Sequence, residues 1–125
     1  MSIFFEKVVL AGGKGSVTLN NRIALAPLTR GRSLNDTAGD DWHVKYYRQR
    51  SSAGLVITEA SAISPNGFGW HQSPSIYTPE HAAGWKKVTD AVHEEGGKIF
   101  IQLWHMGRQT HSSLKGLQPV SHETS

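Results

Sequence analysis

Three apolar runs in the sequence each end in residues that could contact a small molecule. The runs end in Pro27-Leu28-Thr29, in Glu59-Ala60 and in Gln102-Leu103-Trp104-His105, which mainly offer uncharged hydrogen-bonding groups, a small side chain and a large aromatic ring. Such a set suits a flat heterocycle with polar edges better than a metal ion or a nucleophilic centre. The chain has no cysteine, and His105 and His111 lack a third ligand, so we predict no metal site.

The elements that would position these residues follow from the hydrophobic pattern. Two β-prone runs around a glycine-rich turn predict a hairpin, with strands at 8–10 and 16–19 and the turn at 11–15. Three further runs predict strands at 22–26, 55–60 and 98–103, and the first of these is predicted to be buried on both faces. Between them we predict a helix from Asp40 or Asp41 to about Ser52 and a second helix that stops at Gly96.

The two predicted helices each have an apolar face. In the first helix, Val44 and Tyr47 are expected on the inner face, with Trp42 as a third candidate. The second helix begins at Thr78 as N-cap, and its inner stripe, which makes Trp85 a core residue, is Ala82, Trp85, Val88 and Val92. Residues 64–77 and the residues after 103 are predicted to be loops.

The alternation of strand and helix predicts a parallel sheet covered by helices. An open doubly wound sheet would carry Gly-x-Gly-x-x-Gly after the first strand, but this position holds APLTR at 26–30. A hairpin before the first strand also favours a closed barrel. We therefore predict an α/β protein of the TIM (β/α)8 barrel class, with this chain supplying the hairpin and about the first three βα units. The active site of such a barrel lies at the carboxyl ends of the strands.

Composition excludes several other functions. The net charge of +3 comes from lysines and arginines that are scattered and form no basic stripe, so nucleic-acid binding is not expected. No apolar stretch approaches the ~20 residues of a membrane span, so no membrane association is expected. Residues 1–9 do not have the pattern of a signal peptide, and a cytoplasmic location is expected.

Three segments carry a resemblance to a known family. They are NRIALAPLTR at 21–30, YYRQRSSAGLVITE at 46–59 and GGKIFIQLWHMGR at 96–108. In order and spacing they resemble the motifs of the old yellow enzyme family. The resemblance implies a TIM-barrel flavoenzyme that binds FMN. It also implies hydride transfer from NADPH or NADH through the flavin to the activated double bond of α,β-unsaturated carbonyl or nitro compounds.

The resemblance also implies roles for individual residues. Thr29 would donate a hydrogen bond near the flavin O4 and tune the cofactor, and Gln102 would pair with the O2/N3 edge. Ala60 matches a small-residue position beside the flavin ring, and Trp70 and Trp104 match walls of the substrate pocket. The residues that would make backbone contacts along the flavin are Ala26, Pro27 and Leu28.

A complete barrel needs ~250 residues, and the chain has 125. The resemblance places the substrate-gripping pair and the proton donor beyond this chain. We therefore expect a complementary C-terminal portion, either on a second chain or missing from the sequence. Two alternatives stay open: a noncatalytic barrel fragment with a structural or assembly role, and a different flavin barrel of the trimethylamine-dehydrogenase group. Glu59 is interpreted either as a general base or as the ion-pair partner of Arg30 or Arg108.

Overall fold

A computed structural model describes residues 2–12, 14–115 and 117–120. The predicted hairpin is present as strands β1 (Val8–Gly12) and β2 (Gly15–Leu19), which pair antiparallel from Val8↔Leu19 to Gly12↔Gly15. Gly13, in the predicted turn, lies outside the described residues. A short 3-10 helix, Ile3–Phe5, precedes the hairpin, and the backbone N–H of Arg22 donates to the carbonyl of Phe4 at 2.8 Å.

The three predicted strands form one parallel sheet in the order β3-β4-β5. The strands are β3 (Ala24–Leu25), β4 (Leu55–Ala62) and β5 (Ile99–Trp104). Helix α1 (Asp41–Arg48) connects β3 to β4, and α2 (Pro79–Glu94) connects β4 to β5. This is the alternation that the sequence predicted. No helix in the described part of the chain is long and apolar enough to span a membrane.

The first strand of the sheet is shorter and more exposed than the sequence predicted. The predicted strand covered 22–26 and was buried on both faces, whereas β3 has two residues, and Ile23 and Ala24 are exposed. The reason is position in the sheet, because β3 pairs with β4 on one side and is an edge strand among the described strands. The central strand β4 is buried along nearly its whole length.

Helix α1 begins where the sequence predicted but ends earlier. Asp40 caps it, since its carboxylate accepts the backbone N–H of His43 at 2.9 Å. The helix ends at Arg48 rather than near Ser52, because the chain turns there and the hydroxyl of Ser51 donates to the Arg48 carbonyl at 2.7 Å. Trp42 is exposed, which corrects its place among the inner-face candidates, and His43 is buried instead.

Helix α2 agrees with the prediction at both ends. The Thr78 hydroxyl accepts the backbone N–H of His81 at 3.2 Å, and the His81 ring accepts the N–H of Thr78 in return, a capping box. Trp85 is a core residue as expected, 4% exposed, and its indole N–H donates to the Ser75 carbonyl at 3.2 Å. The core that joins the sheet and the helices contains Ala38, Tyr47, Val56, Trp85, Val88 and Val92.

The segments predicted as loops contain short helices. A 3-10 turn, Pro65–Gly67, begins the long connection between β4 and α2, where the Ser64 hydroxyl accepts the N–H of Gly67 at 3.1 Å. The chain after β5 was predicted to be irregular. It forms a 3-10 turn, Gly107–Gln109, and a four-residue helix α3 (Ser112–Lys115). Sequences this short carry too little hydrophobic periodicity to be recognised as helical.

Candidate functional site

An irregularity in β4 decides which residues face which side of the sheet. The register between β4 and β5 runs from Ile57↔Phe100 directly to Ala60↔Gln102, so two residues of β4 oppose one residue of β5. This is a β-bulge, and it interrupts the alternation of side chains along the strand. The hydroxyl of Thr58, within the bulge, accepts the backbone N–H of Gln102 at 3.2 Å and takes the place of a ladder hydrogen bond.

The bulge brings Ala60 and Gln102 onto one face. On β5, Ile99 and Ile101 pack against the core on the helix side of the sheet. Gln102 follows Ile101, so its side chain points to the opposite face, where it is exposed. Ala60 is the register partner of Gln102, and partners in a parallel pair share a face. Strict alternation from the buried core residue Val56 would have placed Ala60 on the helix side instead.

Glu59 is the charged residue of the bulge, and its carboxylate is fully buried on the helix side. The carboxylate pairs with the guanidinium of Arg30 and also accepts the backbone N–H of Arg30 at 3.2 Å. Of the two sequence interpretations, the structure supports the ion pair with Arg30, because a carboxylate with no exposed surface cannot reach a substrate as a general base. The Arg30 guanidinium also lies 3.8 Å from the centre of the Tyr46 ring.

Side chains of α1 complete the surroundings of Glu59. The hydroxyl of Tyr47 donates to the carboxylate at 3.3 Å and accepts the Glu59 backbone N–H at 2.8 Å, and His43 Nε2 lies 3.5 Å from the carboxylate. Burial, followed by the charge of Glu59, raises the pKa of Tyr47 well above its usual value, so this hydroxyl keeps its proton. Burial also acts to raise the pKa of Asp40, but its hydrogen bonds from His43 outweigh this and hold the pKa below its ordinary value.

The residues after β3 lie beside this network. Thr29 directly precedes Arg30 and is half-buried, whereas Ala26 and Leu28 are exposed and Pro27 is half-buried. Because Arg30 is bonded to Glu59 and Ala60 follows Glu59, the end of β3 lies next to the bulge. The carboxyl ends of β3, β4 and β5 therefore lie together, and Thr29 itself lines a cavity with residues of α1, among them Trp42 and Tyr46.

The two predicted pocket tryptophans lie at this same end of the sheet. Trp104 closes β5, is half-buried and pairs in register with Ala62, and its indole nitrogen is buried without a hydrogen-bond partner among the described residues. Trp70 is exposed on the long loop after β4. That loop is joined to the segment after β5, since the Thr110 hydroxyl donates to the Phe68 carbonyl at 2.7 Å.

Asp36 connects three loops at the carboxyl end of the sheet, a role that the sequence analysis missed. It lies on the loop after β3, and its carboxylate accepts Ser75 and Tyr77 of the loop after β4 at 3.1 and 3.2 Å, and Lys115 of α3 at 2.7 Å. Burial acts to raise the pKa of Asp36, but Lys115 and the Ser75 hydroxyl outweigh it and lower the pKa. An Asp in an Asn-Asp-Thr turn gives no sequence signal of partners so far along the chain.

Comparison with known proteins defines the class to which this fold and site belong. Residues 13–123 match the family described as NADH:flavin oxidoreductase / NADH oxidase, and the chain belongs to this family. The cofactors expected from the sequence, FMN and NAD(P)H, are the cofactors of this family. The resemblance to old yellow enzymes is confirmed by named relatives and by solved structures.

Particular relatives are similar over most of this chain. A 12-oxophytodienoate reductase 7 of Oryza sativa subsp. japonica is 44% identical over 106 residues, which are 82% of this chain and 27% of the relative. A flavin oxidoreductase of Emericella nidulans is 44% identical over 107 residues, 82% of this chain and 28% of the relative. The chain therefore spans a little over a quarter of the length of these relatives.

Solved structures place the fold. The old yellow enzyme homologue of Zymomonas mobilis superposes with a TM-score of 0.90 at 43% identity, over 99% of this chain and 34% of that protein. A morphinone reductase in complex with tetrahydroNAD gives a TM-score of 0.86 at 43% identity, over 97% of this chain and 32% of that protein. The predicted fold class is confirmed, since the chain corresponds to about a third of a TIM barrel and carries its hairpin and first three strands.

Proposed function

We propose that this chain forms part of an FMN-dependent ene-reductase in which Thr29, Ala60 and Gln102 line the flavin site. When held by these residues, FMN would supply two-electron chemistry between NAD(P)H and the activated C=C bond of an α,β-unsaturated carbonyl or nitro compound. The single observation that carries the proposal is the bulge in β4, which gives Ala60 and Gln102 one common face beside the end of β3.

The residues present fit a planar cofactor with polar edges. Gln102 is exposed on the face away from the helices, and its amide can both donate and accept hydrogen bonds. Ala60, the register partner of Gln102, is buried, and its side chain ends at Cβ, so it occupies little space beside Gln102. The buried indole N–H of Trp104 is a donor without a partner among the described residues, so a group from outside this part of the chain would satisfy it.

Each proposed residue has a defined task. Thr29 donates its hydroxyl hydrogen where negative charge accumulates on reduction, which favours the reduced cofactor. Gln102 orients the cofactor through its amide, and the backbone of residues 26–28 supports the ring. Trp70 and Trp104 restrict the space for substrate at the same end of the sheet. The substrate-gripping pair and the proton donor are assigned to the complementary portion of the barrel.

The partner in this proposal is the complementary C-terminal portion of the barrel, and the substrate is a small enone or nitroalkene. Apolar side chains of the sheet and of the segments beside β3 are exposed in the described structure, namely Ile23, Leu28, Phe100 and Leu103. By the alternation along β5, Phe100 shares the face of Gln102 and Leu103 the side of Ile101, and exposed apolar side chains of this kind mark surfaces that pack against another part of a structure. A noncatalytic assembly role for the chain is the alternative that an experiment must separate.

The test uses a completed barrel in which this chain is joined to the remaining two-thirds of the Zymomonas mobilis homologue. We expect the purified protein to hold FMN and to oxidise NADPH in the presence of 2-cyclohexenone. A colourless protein that folds with the circular dichroism of the parent enzyme, and takes up no added FMN, would support the assembly role and refute the proposal.

Two substitutions test the proposed contacts in the completed barrel. Thr29→Ala is expected to lower the flavin midpoint potential and to slow flavin reduction by NADPH, whereas Thr29→Ser, which keeps the hydroxyl, should retain the parental potential. Gln102→Leu is expected to weaken FMN retention in gel filtration, with Gln109→Leu as an exposed control. Unchanged potential in Thr29→Ala, or full retention in Gln102→Leu, would remove the corresponding role.

A further inference from the structure

The backbone ladder between β3 and β4 ends before it reaches the proposed flavin residues. The two register pairs of these strands are Ala24↔Leu55 and Leu25↔Val56. The next connection between the two segments is made by a side chain, because the carboxylate of Glu59 accepts the backbone N–H of Arg30 at 3.2 Å and pairs with the Arg30 guanidinium. Residues 26–29 are therefore held at one end by the sheet and at the other end by Glu59.

The Glu59 carboxylate is itself held firmly. It has no exposed surface, and it receives the Tyr47 hydroxyl at 3.3 Å and lies 3.5 Å from His43 Nε2. The Glu59 backbone N–H donates to the same Tyr47 hydroxyl at 2.8 Å, so both the side chain and the main chain of this residue are fixed to α1. A buried charge with several partners has one well-defined position, and removal of one partner leaves the other charge uncompensated.

The bulge couples this carboxylate to the opposite face of the sheet. Thr58 lines a cavity with Trp85 of α2 and Glu59 contacts Tyr47 of α1, so both lie on the helix side, and Ala60 consequently turns to the face that carries Gln102. Glu59 thus fixes two neighbours of the proposed flavin site at once: Ala60 through the peptide bond, and Thr29 through the backbone of Arg30.

We propose that Glu59, acting through Arg30, is a positioning residue that sets where the Thr29 hydroxyl lies relative to Ala60. This inference rests on the proposed function and deepens it. Glu59 makes no contact with reacting atoms, since its carboxylate is buried on the helix side. Its effect on the flavin is transmitted by the backbone of residues 29–30.

The experiment is a double-mutant cycle on the flavin midpoint potential of the completed barrel, with Thr29→Ala, Glu59→Gln and the combined variant. We expect Thr29→Ala to lower the midpoint potential of the parent. In the Glu59 variant the same substitution should produce a shift smaller than roughly half the parental one, because the displaced hydroxyl already contributes less to the potential. Glu59→Asp keeps the charge opposite Arg30 but is one methylene shorter, and it provides the same test if Glu59→Gln does not fold.

A matched control is Arg48→Gln, which breaks the exposed pair (2.5 Å) between Arg48 at the end of α1 and Glu94 of α2. We expect it to leave the Thr29→Ala shift at its parental size. If the shift is also parental in Glu59→Gln and Glu59→Asp, Glu59 has no positioning role and the inference is overturned while the role of Thr29 stands. If Thr29→Ala leaves the parental potential unchanged, the proposed role of Thr29 fails and this inference fails with it.

Discussion

Two glycines bring the start of α1 against α2, and adding a methyl group to either should destabilise the protein. A Cβ built on Gly84 would lie 2.0 Å from the carbonyl oxygen of Ala38, and a Cβ on Gly39 would lie 2.2 Å from the carbonyl oxygen of Gly84. Ordinary contacts begin at 3.4 Å, so the first substitution requires a separation of 3.4 − 2.0, or about 1.4 Å, between two backbones in a close-packed interior.

The free energies follow from two separable costs. At Gly84, overpacking against the backbone should lower the free energy of unfolding by about 3 kcal/mol, and the better helix propensity of alanine should raise it by about 1 kcal/mol. Gly84→Ala should therefore lower the free energy of unfolding by about 2 kcal/mol. Gly39 also has a φ of +99°, which adds about 1 to 2 kcal/mol for a residue with a Cβ, so Gly39→Ala should lose about 4 to 5 kcal/mol.

Two further glycines serve as matched controls. Gly96 has a φ of +76° and nothing within 4 Å of a built Cβ, so Gly96→Ala isolates the conformational cost, about 1 kcal/mol. Gly15 has neither a positive φ nor a close neighbour, and Gly15→Ala should be neutral or slightly stabilising. Urea unfolding followed by tryptophan fluorescence gives all four values. Equal stability of Gly84→Ala and Gly15→Ala would refute the steric reasoning.

The remaining predictions concern side chains that join distant segments. Since the pKa of Asp36 is below 3.8 in the folded protein, its contribution to stability is complete above that value and is lost as the pH falls through the folded-state pKa. Asp36→Asn should therefore lower the free energy of unfolding at pH 7 and make it fall less steeply below about pH 4, as measured by urea unfolding at each pH. An unchanged pH dependence below pH 4 would contradict this. Asn21 bonds three backbone groups through its side chain, and Asn21→Ala should cost about 1 to 3 kcal/mol, against less than about 0.5 for the exposed Asn66→Ala.

The order of elements could be predicted from the sequence because it depends on local signals. Asp40 and Thr78 are N-caps whose side chains satisfy backbone N–H groups a few residues away; the sequence predicted Thr78 and left the first cap as Asp40 or Asp41. In the stripe that follows the helical period, Trp85, Val88 and Val92 are buried as predicted, whereas Ala82 at its start is exposed. Chain direction also predicts that the segments carrying Thr29, Ala60 and Gln102 follow the same end of the sheet, since the carboxyl ends of parallel strands lie together, and the contact of all three with one ring stays a prediction.

Burial within the sheet could not be predicted from the same signals. Ile23 belongs to an apolar run that was predicted to be buried on both faces, yet it is exposed, and Phe100 in the run that forms β5 is exposed as well. An apolar run reports that a residue is suited to a core, but its burial depends on which strands stand on either side. In helix α1, Trp42 is more apolar than His43, yet Trp42 is exposed and His43 is buried. The His43 ring contacts the carboxylates of Asp40 and Glu59, and these contacts hold it on the inner face.

The bulge in β4 was not predicted from the sequence, and it changes the site more than any other difference. Alternation along LVITEASA places Val56, Thr58 and Ala60 on the helix side and would turn Glu59 towards the face that carries Gln102. The sequence left Glu59 as a general base or as the partner of Arg30 or Arg108, and charge alone does not say on which side of a sheet an ion pair lies. Because one inserted residue reverses every side chain that follows it, the same bulge buries the ion pair among the helices and delivers Ala60 to the proposed flavin face.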